Sequence, residues 1–99
     1  MEFSTRAIHG QVDDSSKGAV TYPIYLSSTF LQENINEFGE FVYSRSANPT
    51  RSALEKQIAD LEEAKYVFAT STGMAATAIA FELLNSGDKI LVSDNVYGG

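Results

Sequence analysis

Ser71-Thr72-Gly73-Met74 brings together the residue types that hold an anion: two hydroxyls suited to capping a helix, a glycine that leaves the backbone open, then helix-forming sequence. The first N–H groups of a helix have no intrahelical acceptor and carry the positive end of its dipole, so phosphate is the ligand such a turn fits. Tyr97, in Asp94-Asn95-Val96-Tyr97, offers a flat ring for stacking. Arg45, in Tyr43-Ser44-Arg45-Ser46, offers a charge-assisted contact to phosphate, and Tyr43 adds a hydroxyl. Taken singly, each has a plainer account: a capped helix after a buried strand, and a solvated arginine. There is no cysteine, so no disulfide, thiolate ligand or thiol nucleophile is available. The single histidine, His9, cannot form a histidine metal cluster, and no metal site is expected.

The elements that position these groups are concentrated in the second half of the chain. Asn48 is a favoured helix N-cap and Pro49 suits the first helical position. Leu54, Ile58 and Leu61 then follow at helical spacing, with Glu55, Lys56, Asp60, Glu62 and Glu63 left to face water, so a helix is expected to end near Glu63. Residues 66–69 are aromatic and β-branched and read as a strand; residues 74–85 read as a helix stopped by Ser86-Gly87-Asp88; residues 89–93 read as a second strand. This is a βαβ unit of an α/β fold with a mostly parallel sheet. Ligands of such sheets sit beyond the carboxyl ends of the strands, which puts the turns bearing Gly73 and Tyr97 on one edge.

Residues 1–48 have weaker periodicity. Residues 4–8 suggest a short helical turn, residues 13–18 a solvated loop, and residues 19–30, which include Pro23, an extended path. Phe30, Phe38, Phe41 and Tyr43 crowd a stretch with little regular structure, which suits a segment packed on a larger body or on another subunit. The net charge of −6 over 99 residues argues against nucleic-acid binding. No apolar run has the length to span a bilayer, and Met1-Glu2-Phe3-Ser4 lacks the pattern of a signal peptide, so a cytoplasmic location is expected. One βαβ unit cannot cover both faces of a parallel pair. The chain is therefore read as the N-terminal piece of a longer protein.

Three strings, taken together and in order, carry a resemblance: Tyr43-Ser44-Arg45-Ser46-Ala47-Asn48-Pro49-Thr50, Ser71-Thr72-Gly73-Met74-Ala75-Ala76 and Ser93-Asp94-Asn95-Val96-Tyr97-Gly98-Gly99. With Thr5-Arg6-Ala7-Ile8-His9-Gly10 and the stretch around Pro23 and Phe30, they resemble the cysteine/methionine-metabolism enzymes that use pyridoxal phosphate. This group comprises the cystathionine γ-synthases and γ-lyases, methionine γ-lyases and homoserine-ester sulfhydrylases. The resemblance implies an aspartate-aminotransferase-like (fold type I) architecture, with residues 1–48 as an intersubunit arm and residues 49–99 as the start of the large cofactor domain. It implies that Gly73 and Met74 bind the cofactor phosphate through their N–H groups. Tyr43 and Arg45 would reach that phosphate from a neighbouring subunit of a homodimer or homotetramer. Tyr97 would stack on the pyridine ring and assist proton transfer at the leaving group of a small amino-acid substrate.

The implied activity is formation or cleavage of the γ-carbon–sulfur bond of cystathionine or a related homoserine-derived substrate. O-acetylhomoserine sulfhydrylase, methionine γ-lyase and a truncated non-catalytic relative are the alternatives. Gln11 and Tyr22 depart from the group's usual glycine and proline, Thr72 keeps the hydroxyl of its usual serine, and Gly99 replaces a cysteine common in methionine γ-lyases. The group's Schiff-base lysine and pyridine-nitrogen aspartate lie far downstream of these residues. Lys17, Lys56, Lys65 and Lys89 are in a loop, on a helix face and at strand starts, the wrong places for that lysine. The 99-residue piece alone is therefore expected to be inactive and to hold no cofactor covalently. A flavodoxin-like phosphate domain would account for the strand, turn and helix but not for the Tyr43–Arg45 and Tyr97 strings.

Overall fold

A computed structural model describes residues 2–9 and 17–98, ordered as three helices, α1 (Phe3–Ile8), α2 (Pro49–Leu61) and α3 (Gly73–Phe81). The expected loop at 13–16, Gln11 and Gly99 fall outside the described residues. Two compact units divide after Ala69, and each is described by itself.

In the first unit, α2 starts where its local signals say it must. Asn48 is extended (φ −139°, ψ 137°), its side chain accepts a hydrogen bond from the Thr50 N–H, and Pro49 occupies the first helical position with its φ already fixed. The helix ends at Leu61, with Glu62 as C-cap and Glu63 in the left-handed region at φ 51°. The Ala64 N–H then reaches back to the Ala59 carbonyl at 2.9 Å, closing a Schellman motif.

The face that α2 buries differs from the expected apolar stripe. Leu54 and Ile58 are exposed, while Pro49 and Ala53 (8% exposed) are buried. The reason is polar. Helix α1 packs on α2 through side chains that satisfy backbone groups. Gln57 donates to the Ala7 carbonyl (2.7 Å) at the open end of α1, and Arg6 donates to both the carbonyl and the carboxylate of Asp60 (3.0 and 3.2 Å). Glu55, expected to face water, accepts from the Ala69 N–H at 2.8 Å and lies 3.7 Å from Arg51 Nε. Apolar periodicity marks which face is greasy, whereas unsatisfied backbone groups decide which face this unit uses.

Residues 19–44 are tied down by the start of α2. Both backbone polar groups of Tyr25 bond to side chains there: its N–H donates to Thr50 Oγ1 (2.8 Å) and its carbonyl accepts from Asn48 Nδ2 (3.1 Å). Thr50 Oγ1 in turn donates to the Pro23 carbonyl at 2.9 Å. The chain then folds back on itself through an antiparallel bridge between Thr29 and Tyr43, flanked by Phe30 N–H to Val42 carbonyl (3.0 Å) and Ser44 N–H to Ser28 carbonyl (2.8 Å). Inside that bend the Gln32 amide donates to the carbonyls of Phe30 and Phe41 and accepts from the Gly39 N–H, while the Phe30 and Phe41 rings meet at 5.8 Å.

The second unit holds α3 and the residues after it. The helix begins one residue before the expected start and ends four residues before Asn85, because the bonds after Phe81 tighten: Leu84 N–H reaches the Phe81 carbonyl at 3.0 Å. Asn85-Ser86-Gly87-Asp88 then forms a β-turn, with Asp88 N–H to Asn85 carbonyl at 3.0 Å and Gly87 at φ 97°, a conformation for which glycine is suited. The expected strands at 66–69 and 89–93 form no ladder among the described residues. A parallel strand exists only when neighbours take its N–H and C=O groups and cover both its faces. Here Phe68, Ile90, Leu91 and Val92 are exposed, so those neighbours are the missing ingredient, and the shared strand edge expected for Gly73 and Tyr97 has no sheet to define it.

Candidate functional site

The turn at residues 71–74, expected to hold an anion, is a capped helix start. Thr72 is extended (φ −146°, ψ 154°) and its Oγ1 accepts from the Ala75 N–H at 3.0 Å, while its carbonyl accepts from Ala76 at 3.2 Å. Thr70 Oγ1 donates to the Thr72 carbonyl at 2.8 Å and tightens the turn. Two of the first N–H groups, those of Gly73 and Met74, are left with no partner among the described residues. They point out of the helix start along its dipole, where a phosphate is stabilised.

Gly73 gives a direct test of fit. A Cβ at this position would meet no atom within 4 Å, and Gly73 does not have a positive φ. Among the described residues neither packing nor backbone conformation calls for glycine here. Free space beside two bare N–H groups is what a bound phosphate needs, so the residues present fit the phosphate of the cofactor.

Tyr43 and Arg45 are brought together in the first unit. The Arg45 guanidinium carbon lies 5.0 Å from the centroid of the Tyr43 ring. Arg45 is exposed and has no acidic partner among the described residues, unlike Arg6 and Arg51, which pair with Asp60 and Glu55. Its charge is therefore available to an external anion. Tyr43 is 37% exposed, held by the bridge to Thr29, and its carbonyl accepts from the Ser46 and Ala47 N–H groups at 2.9 and 3.0 Å. Tyr97 lies in the second unit and is 92% exposed, with its ring open for stacking. Among the lysines, Lys65 sits over the ring of Tyr66 at 5.1 Å. No cluster of histidine and carboxylate groups able to hold a metal occurs among the described residues.

Sequence reasoning reads Asn48 only as a cap. The structure adds its Nδ2, which donates to Ser44 Oγ at 2.9 Å as well as to Tyr25, and Ser44, whose Oγ donates to the Ser27 carbonyl. The available signal is the residue type, because among the favoured N-caps asparagine alone has an NH₂ group to spare.

The sequence profile of the family described as Cys/Met metabolism PLP-dependent enzyme matches residues 4–99. The chain is 51% identical over 98 residues to a protein named cystathionine beta-lyase from Coxiella burnetii, covering 98% of this chain and 25% of that one. It is 44% identical over 100 residues to cystathionine gamma-lyase of Bacillus subtilis, covering 100% of this chain and 26% of the relative. Among solved structures it resembles the cystathionine gamma-lyase of Lactobacillus plantarum complexed with L-serine, with a TM-score of 0.76 and 44% identity over 89% of this chain and 23% of that one. The chain thus spans about a quarter of the length of these relatives. No described helix is long and apolar enough to cross a membrane. With that profile covering residues 4–99 and relatives of this identity along the whole chain, the chain belongs to the Cys/Met-metabolism family of pyridoxal-phosphate-dependent enzymes.

Proposed function

We propose that this chain is part of an enzyme of trans-sulfuration that forms or cleaves the γ-carbon–sulfur bond of cystathionine or a related homoserine-derived substrate. The observation that carries the reading is the bare start of α3, where Gly73 and Met74 offer two N–H groups and Thr72 caps the third. In this reading those two groups hold the cofactor phosphate. Tyr43 and Arg45 reach the same phosphate from a neighbouring subunit, the arginine by charge and the tyrosine by its hydroxyl, so residues 1–48 serve as an intersubunit arm. Tyr97 stacks on the pyridine ring, keeps that face dry, and moves a proton at the departing sulfur. Bound pyridoxal phosphate supplies the electron sink that lets a proton leave the substrate's α-carbon. The reading includes a cytoplasmic location, in keeping with a cysteine-free composition.

A second reading places the cut on the β-carbon side of the sulfur. It is favoured by the 51% and 50% identities to proteins named cystathionine beta-lyase, against 44% to the gamma-lyase. Product analysis of the full-length protein with cystathionine separates the two. Cysteine, 2-oxobutyrate and ammonia mean γ-cleavage; homocysteine, pyruvate and ammonia mean β-cleavage. Consumption of an acylated homoserine with cysteine or with sulfide means a synthase or a sulfhydrylase, and release of methanethiol from methionine means a methionine γ-lyase. A full-length protein that turns over none of these and takes up no pyridoxal phosphate overturns the enzyme reading and leaves a non-catalytic relative.

A further inference from the structure

We propose that Asn48 is a positioning residue for the phosphate of the cofactor, acting through Ser44 on the Tyr43–Arg45 pair; this rests on the reading of Arg45 as a phosphate ligand. The partners of the Asn48 amide fix its orientation. Asn48 Oδ1 accepts from the Thr50 N–H at 2.9 Å, a partner that can only donate. Its Nδ2 faces the Tyr25 carbonyl at 3.1 Å, a partner that can only accept. The amide therefore has one possible orientation, and the second hydrogen of Nδ2 is committed to Ser44 Oγ at 2.9 Å. The Ser44 hydroxyl in turn donates to the Ser27 carbonyl, and the Ser44 N–H donates to the Ser28 carbonyl at 2.8 Å. Ser44 is thus fixed at its hydroxyl by Asn48 and Ser27 and at its N–H by Ser28.

Ser44 is also the residue between Tyr43 and Arg45. Fixing it sets the direction in which its neighbours leave the backbone. Arg45 is long and exposed, and its guanidinium is held over the Tyr43 ring rather than by any acid among the described residues. A side chain of this kind loses rotamer entropy when it is held in one place. A rigid backbone beneath it lowers the part of that cost that falls on binding. The same asparagine caps α2, so the phosphate-reaching pair is referenced to a helix start rather than to a free loop.

The test uses the full-length protein stripped of cofactor and titrated by visible absorbance with pyridoxal phosphate and, separately, with pyridoxal, which lacks the phosphate. Asn48→Ser keeps a good N-cap but cannot reach Ser44 and Tyr25 together, and Ser44→Ala removes the link from its other end. Each is expected to weaken pyridoxal phosphate binding about tenfold and pyridoxal binding less than twofold, with the far-UV circular dichroism unchanged. In an Arg45→Ala background each is expected to cost clearly less than it does alone, because the charged member of the pair it positions is gone. Equal losses for both ligands, equal losses with and without Arg45, or no loss from either variant would overturn the proposal. If Arg45→Ala itself left the affinity for pyridoxal phosphate unchanged, the phosphate role of Arg45 would fall, and this proposal with it.

Discussion

At Gly73 the described residues place no demand on the side chain. Its described surroundings are open and its φ is ordinary for a side-chain-bearing residue, so neither accounts for a glycine at this helix start. Gly73→Val in the full-length protein would place a branched side chain beside the bare start of α3. It should weaken pyridoxal phosphate binding at least tenfold, about 1.4 kcal/mol, by covering the two N–H groups. A cofactor titration checks this, and an unchanged affinity would remove the phosphate from this turn. At this scale the sequence was readable where chemistry is local. Thr72 caps the residue three places ahead and Asn48 the residue two places ahead, so both could be seen in a short window. The long-range bonds of Asn48 to Tyr25 and of Glu55 to Ala69 depend on where distant chain arrives, and no spacing rule encodes them.

Among the elements, α2 is the best specified and α3 the most dependent on company. The C-terminus of α2 offers a clean test, because Glu63 adopts a left-handed conformation that costs a side-chain-bearing residue roughly 1–2 kcal/mol. After the greater flexibility of glycine in the unfolded chain is set against this, Glu63→Gly should stabilise the full-length protein by about 0.5–1 kcal/mol. A denaturant midpoint that falls instead would mean that Glu63 makes a favourable contact outweighing its conformation. Helix α3 was legible as a helix from its residue types, yet its length was overestimated. Ala, Leu and Glu favour helix as far as residue 85, but the exposed residues 82–84 have no packing to hold them, and the chain tightens and turns. The strands were legible as apolar, β-branched runs, but a strand is a relationship between segments, and a run of residues supplies only one side of it.

For the molecule as a whole, the imbalance is between apolar surface and what covers it. Ala53 is the one buried hydrophobic residue among those described apart from Pro49, while Leu31 and Leu91 are 98% and 101% exposed. In α3 the sequence Gly-Met-Ala-Ala-Thr-Ala-Ile-Ala-Phe is apolar all round, the pattern of a helix buried on every side. Expressed alone, residues 1–99 should bind a hydrophobic dye strongly and melt without a cooperative transition, since little apolar area leaves water on folding. A sharp calorimetric transition from that chain would show that it builds a core by itself. The grip of α2 on Tyr25 also has a consequence in time. The Pro23 and Tyr25 backbone groups are satisfied by Thr50 and Asn48, which follow 23 to 27 residues later. At a synthesis rate of about 5–20 residues per second, the extended segment leaves the ribosome roughly one to five seconds before its holder does. During that interval its bare backbone and its tyrosines are open to any chaperone that binds extended apolar chain.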